Sequence, residues 1–271
     1  MCIYVVSLIE AQTRKKRLKD SFPKNFSEFI FVDAIDGRKL NALEYFELIK
    51  LNLYENNRLL SPSEIGCSLS HIQVLKAIVG SNKPGIVLED DIIGADEKLN
   101  IAKTALAFIG SNDVIFLGGF EDIRENGKIF LHRNHKHDKQ FSAPLYDFDH
   151  DSLLYLGRTC CYMIGVDAAK VILESQEKAI KLADSWHKNT LNSNVKFKFT
   201  PLLSHPRQQE EGVYDTNIEA QRVSIRYKKT YQLMLESIKA NCCRHLLSLK
   251  SIFKKKFFSK RMESMGELLE K

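Results

Sequence analysis

Proline, glycine and tryptophan are scarce in this chain of 271 residues: 6 Pro, 13 Gly and a single Trp. That scarcity excludes collagen-like and low-complexity sequence and leaves an ordinary globular composition. The 6 cysteines are too few for a disulfide scaffold, and Cys160-Cys161 and Cys242-Cys243 are adjacent pairs, poorly placed for bridging. Reduced thiols in a cytosolic protein are therefore expected. No run approaches the roughly 18 to 20 apolar residues that span a bilayer. The apolar start is followed, not preceded, by the basic cluster Arg14-Lys15-Lys16-Arg17 and has no small-residue cleavage site, so no secretion signal is expected.

What is present suits one large domain or a domain with an appendage: 44% hydrophobic and 27% charged residues over a length that can bury a full core. The formal charge of +6 is unevenly spread. From Arg222 onward 13 Lys/Arg stand against 4 Asp/Glu, a net of +9, which leaves residues 1–221 at −3. A mildly acidic body with a basic tail points to an anionic partner, a membrane surface or nucleic acid, at one end only.

Hydrophobic patterning gives a β-α-β start: the apolar run Ile3 to Leu8, a helical stretch Gln12 to Asp20, and a second run Phe29 to Val32 that empties into Asp33-Ala34-Ile35-Asp36-Gly37. Leu40 to Leu60 reads as helix and then irregular chain. Ser61-Pro62-Ser63-Glu64 is a capping box with proline at the first helical position, so a helix starts there. Its spacing puts Ile65, Leu69, Ile72 and Val79 toward the core, with Glu64, Cys67 and His71 on a stripe beside them. Further strands are predicted at Ile86 to Leu88, Val114 to Leu117, Cys160 to Val166 and Val195 to Thr200, the last closed by Pro201. A helix capped by Asp167 is predicted to run to about Leu182. Glu121 to Asp151 reads as a long excursion. Strands alternating with helices imply a mostly parallel, Rossmann-type sheet covered on both faces.

The sharpest chemical signal is the strand Ile86-Val87-Leu88 running into Glu89-Asp90-Asp91. In an extended chain Glu89 and Asp91 project to one side and Asp90 to the other. Crowded carboxylates repel unless a cation lies between them or one is protonated, and a hard divalent ion accompanied by a diphosphate is the natural occupant. An acidic cluster solvated at a strand end, or a cap for the next helix, is the competing reading. A receiver domain or a haloacid-dehalogenase-type phosphatase would place acids after the first strand, which here ends in Ser7-Leu8. A glycosidase would space its two carboxylates across a sugar.

Several motifs in order then resemble glycosyltransferase family 25, the lipooligosaccharide galactosyltransferases of Gram-negative bacteria and their collagen galactosyltransferase relatives. They are Tyr4-Val5-Val6-Ser7-Leu8 with Arg14 and Arg17, Val32-Asp33-Ala34-Ile35-Asp36-Gly37, Glu64-Ile65-Gly66-Cys67-Ser68-Leu69-Ser70-His71, Val87-Leu88-Glu89-Asp90-Asp91, and Thr159-Cys160-Cys161-Tyr162-Met163-Ile164 with the Ala168-Ala169 helix. The resemblance covers about 200 residues. It implies a GT-A-like fold over residues 1–221, an inverting mechanism, UDP-galactose or another UDP-hexose as donor, and a lipooligosaccharide acceptor at the cytoplasmic side of the inner membrane.

On that resemblance Glu89-Asp90-Asp91 takes the place of the family's metal motif. Asp91, with Glu89 or Asp90, is expected to hold Mn2+ or Mg2+; His205, which follows a strand, is a candidate to complete the shell, and Ser7, Leu8, Arg14, Asp33, Glu64, His71 and Asp90 are expected to serve the donor. Asp184 is the candidate base for the acceptor hydroxyl, with Asp149 and Asp151 as competitors. Arg17 and Asp36 are further donor-side candidates. The tail, residues 222–271, reads as basic amphipathic helix. Lys254-Lys255-Lys256-Phe257-Phe258 suits an anionic bilayer, and no nucleic-acid motif accompanies the charge. The alternative is a catalytically inactive α/β binding protein tethered to anionic membranes by this tail.

Overall fold

The computed structural model describes residues 2–56, 58–120, 129–133 and 141–205. The chain divides into Met1–Ile218 and Glu219–Lys271, and every described residue belongs to the first unit. The basic tail, with its expected helices, lies outside the described residues, as do His135 and His137 of the excursion. Among the described residues no helix is long and apolar enough to cross a membrane.

The protein is α/β. In chain order the elements are β1 (Cys2–Ser7), α1 (Gln12–Ser21), β2 (Phe29–Asp33), α2 (Ala42–Asn56), α3 (Pro62–Ser81), β3 (Gly85–Glu89), α4 (Asp96–Leu106), β4 (Asp113–Gly118), β5 (Leu131–Arg133), β6 (Tyr146–Phe148), β7 (Cys161–Ile164), α5 (Val166–Lys178), α6 (Trp186–Asn189) and β8 (Lys196–Leu203). They build one eight-stranded sheet in the order β2-β1-β3-β7-β4-β8-β6-β5.

Alternation along the strands explains the continuous apolar runs Ile3 to Val6 of β1 and Ile86 to Leu88 of β3. Ile3 and Val5 of β1 and Ile86 and Leu88 of β3 join a cluster with Leu18 of α1 and Leu99 and Ala102 of α4. The intervening Tyr4, Val6 and Val87 join Val74 and Ile78 of α3 and Ala168 and Ile172 of α5 on the opposite face. A sheet buried on both faces requires such runs.

The sheet is more mixed than the pattern predicts. β1, β2 and β3 are mutually parallel, and β4 and β8 are parallel, but β7 runs antiparallel between β3 and β4, and β6 antiparallel to both β8 and β5. The inserted β7 matters for the site. Because it runs against its neighbours, its start, and not its end, lies beside the C-terminal end of β3, where the Glu89 N–H donates to Cys160 O (2.8 Å). The excursion from 121 to 151 is not wholly irregular, since it contains β5 and β6, which extend the sheet.

Local differences have local causes. β8 continues through Pro201 because the β4–β8 register shifts between Phe116 and Gly118, and proline is tolerated at such a bulge. The cap of α5 is Gly165, not Asp167, which sits inside the first turn and accepts from Ser111 Oγ (2.6 Å). Four cysteines, Cys2, Cys67, Cys160 and Cys161, form no disulfide.

Helix α3 begins as its sequence dictates: Ser61 Oγ accepts from the Glu64 N–H and Glu64 Oε2 accepts from the Ser61 N–H, closing the capping box. Its buried face is rotated from the expected one. Ile65 is buried, but with Ser68, His71, Val74, Leu75 and Ile78, while Leu69, Ile72 and Val79 are only partly buried. Small residues set this rotation by letting backbones approach. A Cβ on Gly66 would stand 2.4 Å from Ile35 O, and one on Gly37 1.8 Å from Pro62 O. Ser70 Oγ also accepts from the Ile35 N–H (2.8 Å), clamping the 33–37 turn to the helix.

Candidate active site

The parallel registers bring Ser7, Asp33 and Glu89 to one sheet edge. An antiparallel bridge between Ile93 and Ser204 holds the end of β8 at the same edge and sets His205 against it. A cavity of about 420 Å³ opens there, walled by Ser7, Leu8 and Arg14, the 34–38 turn, Cys67 and His71 of α3, and Glu89, Asp90 and Asp91. It is the crevice outside the carboxyl ends of the strands where open α/β sheets take ligands.

The three acids all reach this cavity, but not with the alternation expected of an extended chain. β3 ends at Glu89 and the chain turns, so that Arg14 reaches both Asp90 and Asp91 while Glu89 meets His71 and Thr159. Arg14 Nη1 donates to Asp90 Oδ1 at 2.8 Å and lies 3.7 Å from Asp91 Oδ2. Ser7 Oγ also donates to Asp90, at Oδ2 (2.8 Å). On the α3 side Glu89 Oε1 accepts from Thr159 Oγ1 (2.5 Å) and stands 3.3 Å from His71 Nε2. His71 Nδ1 lies 3.1 Å from the hydroxyl of buried Tyr162.

Electrostatics separate the neighbours. Burial raises the pKa of Asp90 above the usual carboxylate range and outweighs the bonds from Arg14 and Ser7. Burial also acts to raise Asp91, but the bond from His205, with the charges of His205, Arg14 and Arg17, overrides it and holds Asp91 below that range. His205 Nε2 is 3.5 Å from Asp91 Oδ2. Burial would lower the imidazole's pKa, yet Asp91 and Glu89 bring it above the ordinary histidine value.

Whether this group suits a divalent cation is decided by one atom. Asp91 Oδ1 is buried without a hydrogen-bond donor, an arrangement costly for a carboxylate oxygen unless a cation faces it. Glu89, Asp91 and His205 are oxygen and imidazole donors of the kind such an ion takes, but among the described residues the donors that lie within 4.8 Å of one another are Cys67, His71 and Glu89, so an ion at Asp91 would have to draw Glu89 and a deprotonated His205 toward it. Buried guanidinium nitrogens present the converse: Arg17 Nε and Nη2 and Arg158 Nη1 have no acceptor, as beside a site for an anion.

Other expected residues fall elsewhere. Glu64 uses Oε2 in the helix cap and Oε1 for Arg58 Nη2 (3.0 Å), and it is not among the residues that wall the cavity. Asp33 is exposed at the end of β2 and is likewise not in the wall. Asp36 is in the wall, accepting from Arg38 Nε and Nη2, each at 2.7 Å. Asp184 is half-buried outside the wall, with Oδ2 at 3.4 Å from the Arg158 N–H. Asp149 is exposed, 3.8 Å from His132. The side chain of Asp151 lies outside the described residues.

Three residues without an assigned role prove central. Arg158 has a left-handed backbone (φ 64°), held at its carbonyl by Trp186 Nε1 (2.9 Å). A non-glycine residue is strained there, and this bend delivers Thr159 to Glu89. Tyr162 backs His71. Thr159 and Tyr162 were signalled by the motif at 159–164 and its place at the start of a strand, without a role for either, because the strand's neighbours were not legible.

The model of glycosyltransferase family 25, described as an LPS biosynthesis protein family, matches residues 1–186. A probable inactive glycosyltransferase 25 family member 3 of Rattus norvegicus is 31% identical over 96 residues, covering 33% of this chain and 17% of that protein. Procollagen galactosyltransferase 1-B of Xenopus laevis is 34% identical over 96 residues, covering 33% and 16%. The chain thus spans about a sixth of the length of these relatives. Among solved structures, mannose-1-phosphate geranyltransferase from Thermus thermophilus aligns over 76% of this chain and 74% of its own, with a TM-score of 0.36 and 12% identity.

Proposed function

The chain belongs to glycosyltransferase family 25, and from that premise we propose that it transfers a hexose, with inversion, from a UDP-sugar such as UDP-galactose to a lipooligosaccharide acceptor. The observation that carries this reading is the convergence of Glu89, Asp90 and Asp91 with Arg14 and His71 on one cavity at the carboxyl edge of the sheet. Its volume of about 420 Å³ lies within the roughly 300 to 1,000 Å³ of small-ligand sites.

Glu89, Asp91 and His205 would hold Mn2+ or Mg2+, which supplies Lewis-acid stabilisation of the charge that develops on the departing diphosphate. The chain's own groups do the rest. Arg14, fixed by Asp90, presents a cation beside the diphosphate. Ser7 holds Asp90 in place. The 34–38 turn, pinned by Ser70, forms the wall against which the nucleoside rests. Asp184, the candidate base read from the sequence, stands outside the cavity wall with one bond from the Arg158 N–H, so the proton of the acceptor hydroxyl reaches it only if the acceptor extends beyond that wall. Docking of the basic tail on the cytoplasmic face of the inner membrane would bring the protein to a lipid-linked acceptor.

The test is turnover of UDP-galactose and UDP-glucose with and without Mn2+. The expected result is metal-dependent release of UDP that falls at least ~100-fold in Asp91→Asn, the scale of losing one charge-stabilising group. Wild-type turnover in that variant would refute the metal assignment. A second reading, binding without turnover, draws support from the relative named as probably inactive. It predicts UDP binding with Mn2+ but no UDP release from any donor offered with acceptor.

A further inference from the structure

We infer that Cys67, His71 and Glu89 form a second cation site in the same cavity, selective for a thiophilic divalent ion such as Zn2+. The sulfur of Cys67, a ring nitrogen of His71 and a carboxylate oxygen of Glu89 all lie within 4.8 Å of one another. A thiolate, an imidazole and a carboxylate are a borderline-soft donor set, unlike the oxygen-dominated set around Asp91.

Helix and strand build the site together. Cys67 and His71 stand four residues apart on α3, so they share one face, and Glu89 ends the strand that this face meets. Bond lengths of about 2.0 to 2.3 Å in a tetrahedron place ligand atoms roughly 3.4 to 3.6 Å apart. His71 Nε2 and Glu89 Oε1 already stand 3.3 Å apart. The Cys67 sulfur completes the set with a shift of about 1 Å.

The supporting shell is also built. Metal-binding histidines have their second nitrogen fixed by a hydrogen bond, and ligating carboxylates are themselves hydrogen-bonded. His71 Nδ1 lies 3.1 Å from the hydroxyl of fully buried Tyr162; with the ring proton on Nδ1 and donated to that hydroxyl, Nε2 is left to coordinate. Thr159 Oγ1 donates to Glu89 Oε1 at 2.5 Å and fixes the carboxylate. All three ligands belong to the cavity wall, so a fourth position faces the cavity and takes water or a ligand oxygen. Glu89 serves both this site and the one at Asp91, so Zn2+ here withdraws it from the harder ion and suppresses turnover supported by Mn2+.

The test uses Co2+ as a spectroscopic stand-in for Zn2+ on the full chain under a non-thiol reductant. The expected result is a thiolate-to-cobalt charge-transfer band in the near ultraviolet, saturating at one equivalent and absent in Cys67→Ser. Tyr162→Phe and Thr159→Val are expected to weaken cobalt binding about 10- to 100-fold. In the unaltered protein, alkylation mapped by mass spectrometry is expected to show Zn2+ slowing modification of Cys67 and not of Cys2. No charge-transfer band at saturating Co2+, a band that persists in Cys67→Ser, or alkylation of Cys67 indifferent to Zn2+ would each overturn the proposal. Binding of UDP with Mn2+ is read separately: its absence beside an intact cobalt band contradicts the transferase reading and leaves this site standing.

Discussion

At the scale of single residues, the site assigns different tasks to three adjacent acids. Asp90 is tied to Arg14 and Ser7, Glu89 to Thr159 and His71, and Asp91 faces His205 while keeping one buried oxygen without a donor. The His205–Asp91 pair makes a pH prediction whose sign follows from its shifts. The His205 pKa is raised, so its stabilisation is complete below the ordinary value of 6.5 and is lost as pH rises through the folded value. The Asp91 pKa is lowered, so its share is present above 3.8 and is lost as pH falls through its folded value. Melting of the metal-free protein followed by circular dichroism is therefore expected to show Tm falling on the alkaline side of 6.5. The slope is expected to flatten in His205→Gln, and an unchanged slope would contradict the pairing. The acids themselves were legible in the sequence, because a buried apolar strand running into three carboxylates is visible in one dimension. Which side each takes was not, because it depends on where the strand stops and the turn begins.

At the scale of elements, α3 carries the cavity's wall, and its placement depends on glycine as much as on its cap. Gly66→Ala would drive a Cβ against Ile35 O and prise the 33–37 turn from the helix. It is expected to cost about 1 to 3 kcal/mol by urea unfolding and to weaken UDP binding by displacing the turn. Gly80→Ala, on the same helix with open space around it, is expected to stabilise by about 0.4 to 1 kcal/mol. Equal effects from the two would contradict the close-approach account. Ser61→Ala removes the capping acceptor for the Glu64 N–H and is expected to cost about 1 kcal/mol, with UDP affinity unchanged because Ser61 is not in the cavity wall. The cap, the first two strands and the acidic strand end could be read from local pattern because each is fixed by neighbours in sequence. The antiparallel insertion of β7, the rotation of α3 and the roles of Thr159 and Tyr162 depend on partners 70 and 91 residues away. Periodicity cannot report such partners.

At the scale of the whole molecule, membership of glycosyltransferase family 25 and the cavity at the sheet edge support the proposed transfer reaction, and the charge imbalance motivates the proposed place of action. The body carries a net −3 and the tail from residue 222 carries +9, enough for electrostatic attraction to an anionic surface at about 1 kcal/mol per basic residue near it. Removing residues 222–271 is expected to abolish sedimentation with phosphatidylglycerol vesicles and to leave UDP binding in place; vesicle binding that survives truncation would contradict the tail's role. The central claim concerns the body, where acidic oxygens at the sheet edge are proposed to gather a cation and a pyrophosphate. Its most direct test is a crystal grown with MnCl2 and UDP, with data collected at the manganese absorption edge. The account predicts an anomalous peak bounded by Glu89, Asp91 and His205, with the diphosphate lying toward Arg14. A crystal whose nucleotide binds elsewhere, or whose anomalous map is featureless at those three residues, would contradict it.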